Sequence, residues 1–208
     1  MQQRVIIFDM DGTLIDSSVT IANAINYVRN NLGFEPLERE YIIRLINDHT
    51  INPAQKFYHA KTFEKQHEIW FSEYYSEHHH KDIELYQGIP KLLEKLKSHG
   101  AKLAIATNAY RISTIESLSH LKVQHHFDAI VCYDDVAQGK PYPDMLYKVL
   151  DEVRMQNHQA LFIGDGPRDQ MASESANIEY IMVDWGFSDH DNAVRSVAEL
   201  EKIIFGEI

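Results

Sequence analysis

Two hydrophobic rhythms divide the chain. Residues 5–8 form a continuous apolar run, the pattern of a strand buried on both faces of a parallel sheet, and the run empties directly into Asp9, Asp11 and Gly12. Strand patterns return at 102–106, 129–132, 161–164 and 180–183. Between the first strand and residue 86 the text is helical throughout. Ser17 and Ser18 can cap a helix carrying Ile21, Ile25, Val28 and Leu32 at helical spacing, with Gly33 at its stop. Further helices are predicted over 38–46, 54–58 and 63–77, the last with Phe63, His67, Trp70 and Tyr74 on one stripe.

From Gly88 onwards helices and strands alternate. Pro90 stands in a first helical turn and Gly100 just past the helix end, with Leu92, Leu93 and Leu96 between them. Helices follow over 111–121, from Pro143 with Leu146, Val149, Leu150 and Val153, over 168–176, and over 194–204. This alternation predicts an α/β fold, a doubly wound and mostly parallel sheet. The helical block is too long for one crossover. It reads as an inserted all-helical subdomain, residues 16–86, in a core formed by 1–15 and 87–208.

Composition narrows the chemistry. With 208 residues and 44% apolar content the chain can bury a substantial core, so disorder is excluded. A net charge of -11 argues against binding nucleic acid or anionic lipid through a broad basic face. A small anionic substrate would therefore need local cations or a metal. The single cysteine, Cys132, rules out an intramolecular disulfide and a Cys-rich zinc site, and its place after an apolar strand reads as burial. The N-terminal apolar run is too short for a signal segment or a membrane span, so a cytoplasmic location is expected.

The candidate chemistry sits where the strands end, the edge at which open α/β sheets bind ligands. The first strand delivers Asp9 and Asp11, the second Thr107 and Asn108, the third, after a loop, Lys140, and the fourth Asp165 and then Asp169. Carboxylates, a hydroxyl, an amide and an ammonium are the mixture phosphoryl transfer needs. One carboxylate can act as nucleophile, others hold a hard divalent cation, and the lysine and hydroxyl face the phosphoryl oxygens. Each group has an ordinary alternative: Asp165 and Asp169 as helix cap and first-turn acid, Thr107 and Asn108 as a cap pair, Lys140 as a loop lysine. The four strand exits together favour the catalytic reading.

Four stretches, Phe-Asp-Met-Asp-Gly-Thr-Leu from Phe8, Ile-Ala-Thr-Asn from Ile105, Gly-Lys-Pro-Tyr-Pro-Asp from Gly139 and Ile-Gly-Asp-Gly-Pro-Arg-Asp from Ile163, carry a family resemblance. In this order they resemble the four motifs of the haloacid dehalogenase-like (HAD) hydrolase superfamily. The similarity covers essentially the whole chain and points to the phosphoglycolate phosphatase and β-phosphoglucomutase branch, whose helical cap lies between the first two motifs. Residues 183–187, Val-Asp-Trp-Gly-Phe, resemble the segment after the last motif in phosphoglycolate phosphatase-like members.

The resemblance implies a Mg²⁺-dependent phosphatase for a small phosphorylated metabolite, phosphoglycolate-like, working through an aspartyl-phosphate. It implies Asp9 as nucleophile and Asp11 as the acid that protonates the leaving oxygen and then activates water. It assigns Mg²⁺ to the Asp9 carboxylate, the Asp11 backbone carbonyl and Asp165, with Asp169 as ligand or supporting acceptor. Thr107 and the Asn108 backbone bind the phosphoryl group, and Lys140 pairs with Asp9 and the phosphate. Three rivals stand beside it: a β-phosphoglucomutase-like sugar phosphomutase, a dehalogenase, and a phosphate-sensing module without turnover.

The similarity thins in two places. Ala176 is followed by Asn177 where many relatives carry Ala-Gly, and Asn can take the left-handed conformation of such a helix stop. In the cap, the Arg44 to Thr50 text lacks the usual site-facing pattern, leaving Arg44 and His49 as candidate substrate contacts. The aromatic stripe from Phe63 to Tyr75 reads as cap packing. His78, His79 and His80 are consecutive on a helix, point in different directions and read as solvated surface.

Overall fold

A computed structural model describes residues 4–48, 50–186 and 192–206 of the chain. His49 and Phe187 lie outside the described residues, so the candidate contact at the first and the end of the 183–187 motif are not placed.

The chain divides into two compact units, Met1–Ile15 with Leu85–Ile208, and Asp16–Glu84. The first holds a five-stranded sheet built from β1 (Val5–Phe8), β4 (Lys102–Ala106), β5 (Ala129–Val131), β6 (Ala160–Gly164) and β7 (Glu179–Met182). Its order is β5-β4-β1-β6-β7, and every neighbouring pair runs parallel. The chain winds outwards from β1 through β4 to β5, then crosses back to β6 on the other side. Strand order therefore reverses beside β1, the switch point at which such sheets open a crevice for ligands.

The register explains the unbroken apolar text. Val5 pairs with Lys102 and Ala160, and Ile7 pairs with Ala104 and Phe162. Val5, Ile7, Ala104, Ala106, Val131 and Phe162 join one buried cluster with Met145, Leu146, Val149 and Val153 of α7 (Asp144–Val153) and Ala172 and Ala176 of α8 (Pro167–Ala176). On the alternate positions Ile6, Phe8, Leu103, Ile105, Leu161 and Ile163 are equally buried. β1 and β6 are buried along their whole length and β4 beyond Lys102, so these central strands need apolar residues at every such step. The remaining helices of this unit are α5 (Ile89–Ser98), α6 (Arg111–His120) and α9 (Val197–Phe205).

The second unit contains α1 (Ser18–Asn31), α2 (Arg39–Asn47), α3 (Pro53–Tyr58) and α4 (Lys65–Asp82). Ala22, Ile25 and Val28 of α1 pack with Ile42, Phe57 and Tyr58, and Trp70 and Phe71 close over them. Arg29 is buried among these elements and donates to the carbonyls of Glu35, at 2.8 Å, and Phe57. Arg44 is exposed on α2. Among the described residues no helix is long and apolar enough to cross a membrane.

Several local expectations are corrected. The cap of α1 is made by Asp16, whose carboxylate accepts from the Ser18 N–H at 3.0 Å, whereas Ser17 makes no side-chain cap bond. The last helix starts at Val197 and not at 194, because Val194 bridges to Val183 and Ser196 caps the helix by accepting from the Glu199 N–H at 3.2 Å. Two strands of two residues each, β2 (Ile15–Asp16) and β3 (Glu84–Leu85), are too short to show alternation in sequence. His79 is buried and not solvated. The helical turn stacks it on Tyr75, ring centroids 5.6 Å apart, with Nδ1 3.0 Å from the Tyr75 carbonyl. Asn177 takes the left-handed conformation, φ 53°, and ends α8 as the substituted stop requires.

Candidate active site

Every core residue singled out by sequence sits on the first unit, at the carboxyl ends of β1, β4 and β6, on the loop leaving β5 or, for Asp169, in the first turn of α8. Asp9 continues the ladder of β1, its N–H donating to the Ile163 carbonyl at 2.8 Å. Sheet hydrogen bonding thereby fixes the backbone of this carboxylate. Thr107 is fixed in the same way by a 3.0 Å bond to the Val131 carbonyl, and its hydroxyl accepts from the Ala109 N–H at 3.1 Å.

Three carboxylates converge. Asp9, Asp165 and Asp169 each present an oxygen within 4.8 Å of the other two. Lys140 reaches them from the β5–α7 loop, its ammonium in contact with Asp9 and 2.6 Å from Asp169. Asp9, Lys140 and Asp169 are buried and Asp165 is half-buried. Asp169 occupies the third position of α8, where Oδ2 accepts from the Gly166 N–H at 3.3 Å and the helix dipole favours negative charge. The Asp11 carboxylate lies outside this convergence among the described residues, but its charge is felt at Asp9.

Two glycines, Gly12 after the first pair of aspartates and Gly164 at the end of β6, make room for these acids. A methyl group at Gly12, where φ is +83°, would fall 2.1 Å from Asp165 Oδ2. One at Gly164 would fall 2.5 Å from Asp169 Oδ2. Both stand inside the recognised motifs, Gly12 making room for an acid of the last motif and Gly164 for the acid five residues on. Trp185, in the segment after the last motif, donates its indole N–H to the Thr13 carbonyl at 2.9 Å and ties down the loop after Asp11. Asn108 directs its side-chain amide at the main chain of Lys140.

The electrostatics are those of a site short of positive charge. Burial pushes the Asp9 carboxyl up to about 7, against the pull of Lys140, and the charges of Asp169 and Asp11 push the same way as burial. Asp165 is raised well above the ordinary range by burial and then by Asp9 and Asp169. Lys140 is held above its usual value: burial works against its charge, but Asp169 and Asp9 outweigh it. One ammonium faces three converging carboxylates, so the ionised cluster is left with surplus negative charge in a dehydrated place. Oxygen donors, short mutual distances and uncompensated charge are what a hard divalent cation requires, and the residues fit such an ion.

A parallel α/β sheet with an acidic cluster at its switch point, one buried lysine and a helical insertion after the first strand defines a class of hydrolase. The haloacid dehalogenase-like hydrolase family matches residues 6–183, and the chain belongs to it. It is an enzyme, a hydrolase of the phosphatase type. It is 33% identical over 184 residues to the phosphoglycolate phosphatase of Aquifex aeolicus, covering 88% of this chain and 86% of that protein. It is 26% identical over 185 residues to the pyrophosphatase PpaX of Bacillus mycoides, covering 89% and 85% respectively. A haloacid dehalogenase-like family hydrolase from Streptococcus pneumoniae, 24% identical, shares the fold with a TM-score of 0.81 over 98% of each chain.

Proposed function

We propose that the chain is a Mg²⁺-dependent phosphatase that hydrolyses a small phosphorylated metabolite through an aspartyl-phosphate on Asp9. The observation that carries this reading is the placement of one buried carboxylate, Asp9, against Lys140 and within reach of two further carboxylates, Asp165 and Asp169.

An Asp9 oxygen attacks phosphorus, the bond from phosphorus to the leaving oxygen breaks, and the proton on Asp11 passes to that oxygen. Water then attacks the phosphoryl-Asp9, Asp11 takes its proton, and the bond to Asp9 breaks to give inorganic phosphate and the free carboxylate. Lys140 offsets the repulsion between Asp9 and an anionic substrate and stabilises charge on the phosphoryl oxygens, with the Thr107 hydroxyl and the Asn108 backbone N–H as donors to the same oxygens. Mg²⁺ held by Asp9, Asp165, Asp169 and the Asp11 carbonyl would supply the positive charge that keeps Asp9 ionised and polarises the phosphoryl group. Asp16–Glu84 is the cap that selects the substrate.

The two relatives are named for different phosphate compounds, phosphoglycolate and pyrophosphate, and both belong in a first substrate panel. Phosphate release from that panel, assayed with and without Mg²⁺ and with Asp9→Asn as control, tests the proposal. Metal-dependent release by the wild type and none by Asp9→Asn is expected. Full activity of Asp9→Asn would remove the nucleophile from the argument. Isomerisation of a sugar phosphate faster than phosphate release would favour a phosphomutase.

A further inference from the structure

We propose that the Asn108 side chain is a positioning device for Lys140: it grips the lysine's own main chain, and the place of the ammonium between Asp9 and Asp169 depends on that grip. The inference rests on the reading of Lys140 as the cation of a phosphoryl-transfer site and adds a role for a side chain whose backbone alone had one.

Both ends of the Asn108 amide are engaged with the same residue. Oδ1 accepts from the Lys140 N–H and Nδ2 donates to the Lys140 carbonyl, each at 2.9 Å, across 32 residues of sequence. A paired donor and acceptor on one residue fix its translation and its rotation together, as a strand partner would. Lys140 needs such a partner, because it follows β5 by a loop and belongs to no strand or helix.

The grip is itself mounted on rigid parts. Asn108 stands two residues past the end of β4, whose pairing with β5 continues beyond the strand ends through Thr107 N–H to the Val131 carbonyl and Tyr133 N–H to the Ala109 carbonyl, each at 3.0 Å. Gly139 is pressed between the amide and an aromatic ring. A methyl group there would lie 2.7 Å from Asn108 Oδ1 and 2.7 Å from Tyr133 Cδ2. Tyr133 in turn meets Tyr110 edge-on, ring centroids 5.6 Å apart. The absent side chain at 139 lets the peptide of Lys140 approach the amide closely enough for both bonds.

Asn108 therefore acts through Lys140, and its kinetic effect should vanish when the lysine is gone. In a double-mutant cycle, Asn108→Ala is expected to lower kcat/KM roughly 10- to 100-fold in the wild-type background. In a Lys140→Met background it should lower it less than about threefold. Effects that multiply would overturn the proposal, because they would mean that the amide contacts the phosphoryl group independently. Hydrogen exchange at the Lys140 amide, read by NMR on the wild type and Asn108→Ala, gives a measurement free of turnover. Faster exchange at that amide is expected, and unchanged exchange would overturn the grip. Gly139→Ala opens the same contact from the other side and should reproduce both signatures should Asn108→Ala fold poorly. A wild type without phosphatase activity would count against the proposed function alone, and the exchange measurement would still decide the grip.

Discussion

The ammonium of Lys140 lies between two buried carboxylates, touching Asp9 and standing 2.6 Å from Asp169. The lysine thus does two things. It neutralises part of a dehydrated acidic cluster, and it reaches the group proposed to attack phosphorus. Lys140→Met keeps the bulk of the stem but leaves both acids without their cation. Breaking a buried pair from one side costs about 3–5 kcal/mol, so urea unfolding in metal-free buffer should show a loss of that order. Turnover of the best substrate should fall at least about 100-fold, the scale of losing one group aimed at developing charge. Unchanged turnover with unchanged stability would contradict both roles.

Gly164 and Asp169 show how closely the backbone approaches the acids. An added methyl at 164 would lie 2.5 Å from Oδ2 and 2.7 Å from both Cβ and Cγ of Asp169. The collision is with the root of the side chain, so rotating the carboxylate away does not relieve it. Gly164→Ala is expected to destabilise the protein by about 1–3 kcal/mol and to weaken Mg²⁺ binding measured by calorimetry. Gly12→Ala adds a methyl where φ is +83° and should cost about 1–2 kcal/mol from backbone strain alone, besides its clash with Asp165.

Much of this arrangement is legible in the sequence because fully buried strands are written in uninterrupted apolar letters. The apolar runs of β1 and β6 end immediately before Asp9 and Asp165. Burial on both faces produced those runs, and the exits of a parallel sheet gave their endpoints meaning. Sequence distance hid the rest. Nothing local says that the Asn108 amide would meet a residue 32 positions on, or that Gly164 is small for the sake of Asp169. The Ser196 to Glu199 cap was a readable signal that the apolar Val194 obscured, since a residue held in a β-bridge looks like a helix start when only its hydrophobicity is counted. His79 misled for a related reason: its ring stacks on Tyr75 one helical turn earlier, and composition alone marks a histidine run as surface.

Asp135 offers a pH-dependent test away from the acidic cluster. The Arg111 guanidinium, with Nε at 2.8 Å, holds its carboxyl below the ordinary range, burial opposes this, and the Cys132 N–H at 2.7 Å helps. A carboxyl whose value is depressed by folding adds stability that is fully present above its unfolded value and is lost as pH falls through its folded value. Asp135→Asn should therefore cost roughly 1–2 kcal/mol near neutrality, the scale of a charge-assisted bond discounted for the solvent around Arg111. The difference from wild type should shrink as pH drops below about 4. Unfolding free energies across that range check it, and a difference that grew in acid would reverse the sign of the argument.

The surplus of negative charge at the cluster predicts opposite effects of one substitution with and without metal. Burial, Asp9 and Asp169 all disfavour an ionised Asp165, so in metal-free protein this residue is a source of strain and not of stability. Asp165→Asn removes a charge at nearly constant shape. Without divalent cations it should unfold later than the wild type, by about 1 kcal/mol, as often happens when a functional site is relaxed. Adding Mg²⁺ should reverse the order. Wild type gains about 2.7 kcal/mol when the ion stands at 100 times its dissociation constant, and Asp165→Asn, with one ligand less, gains far less at the same concentration. Thermal unfolding of both proteins over a Mg²⁺ titration, with EDTA as the zero point, reads the crossing directly. Parallel curves that never cross would mean that Asp165 does not hold the ion.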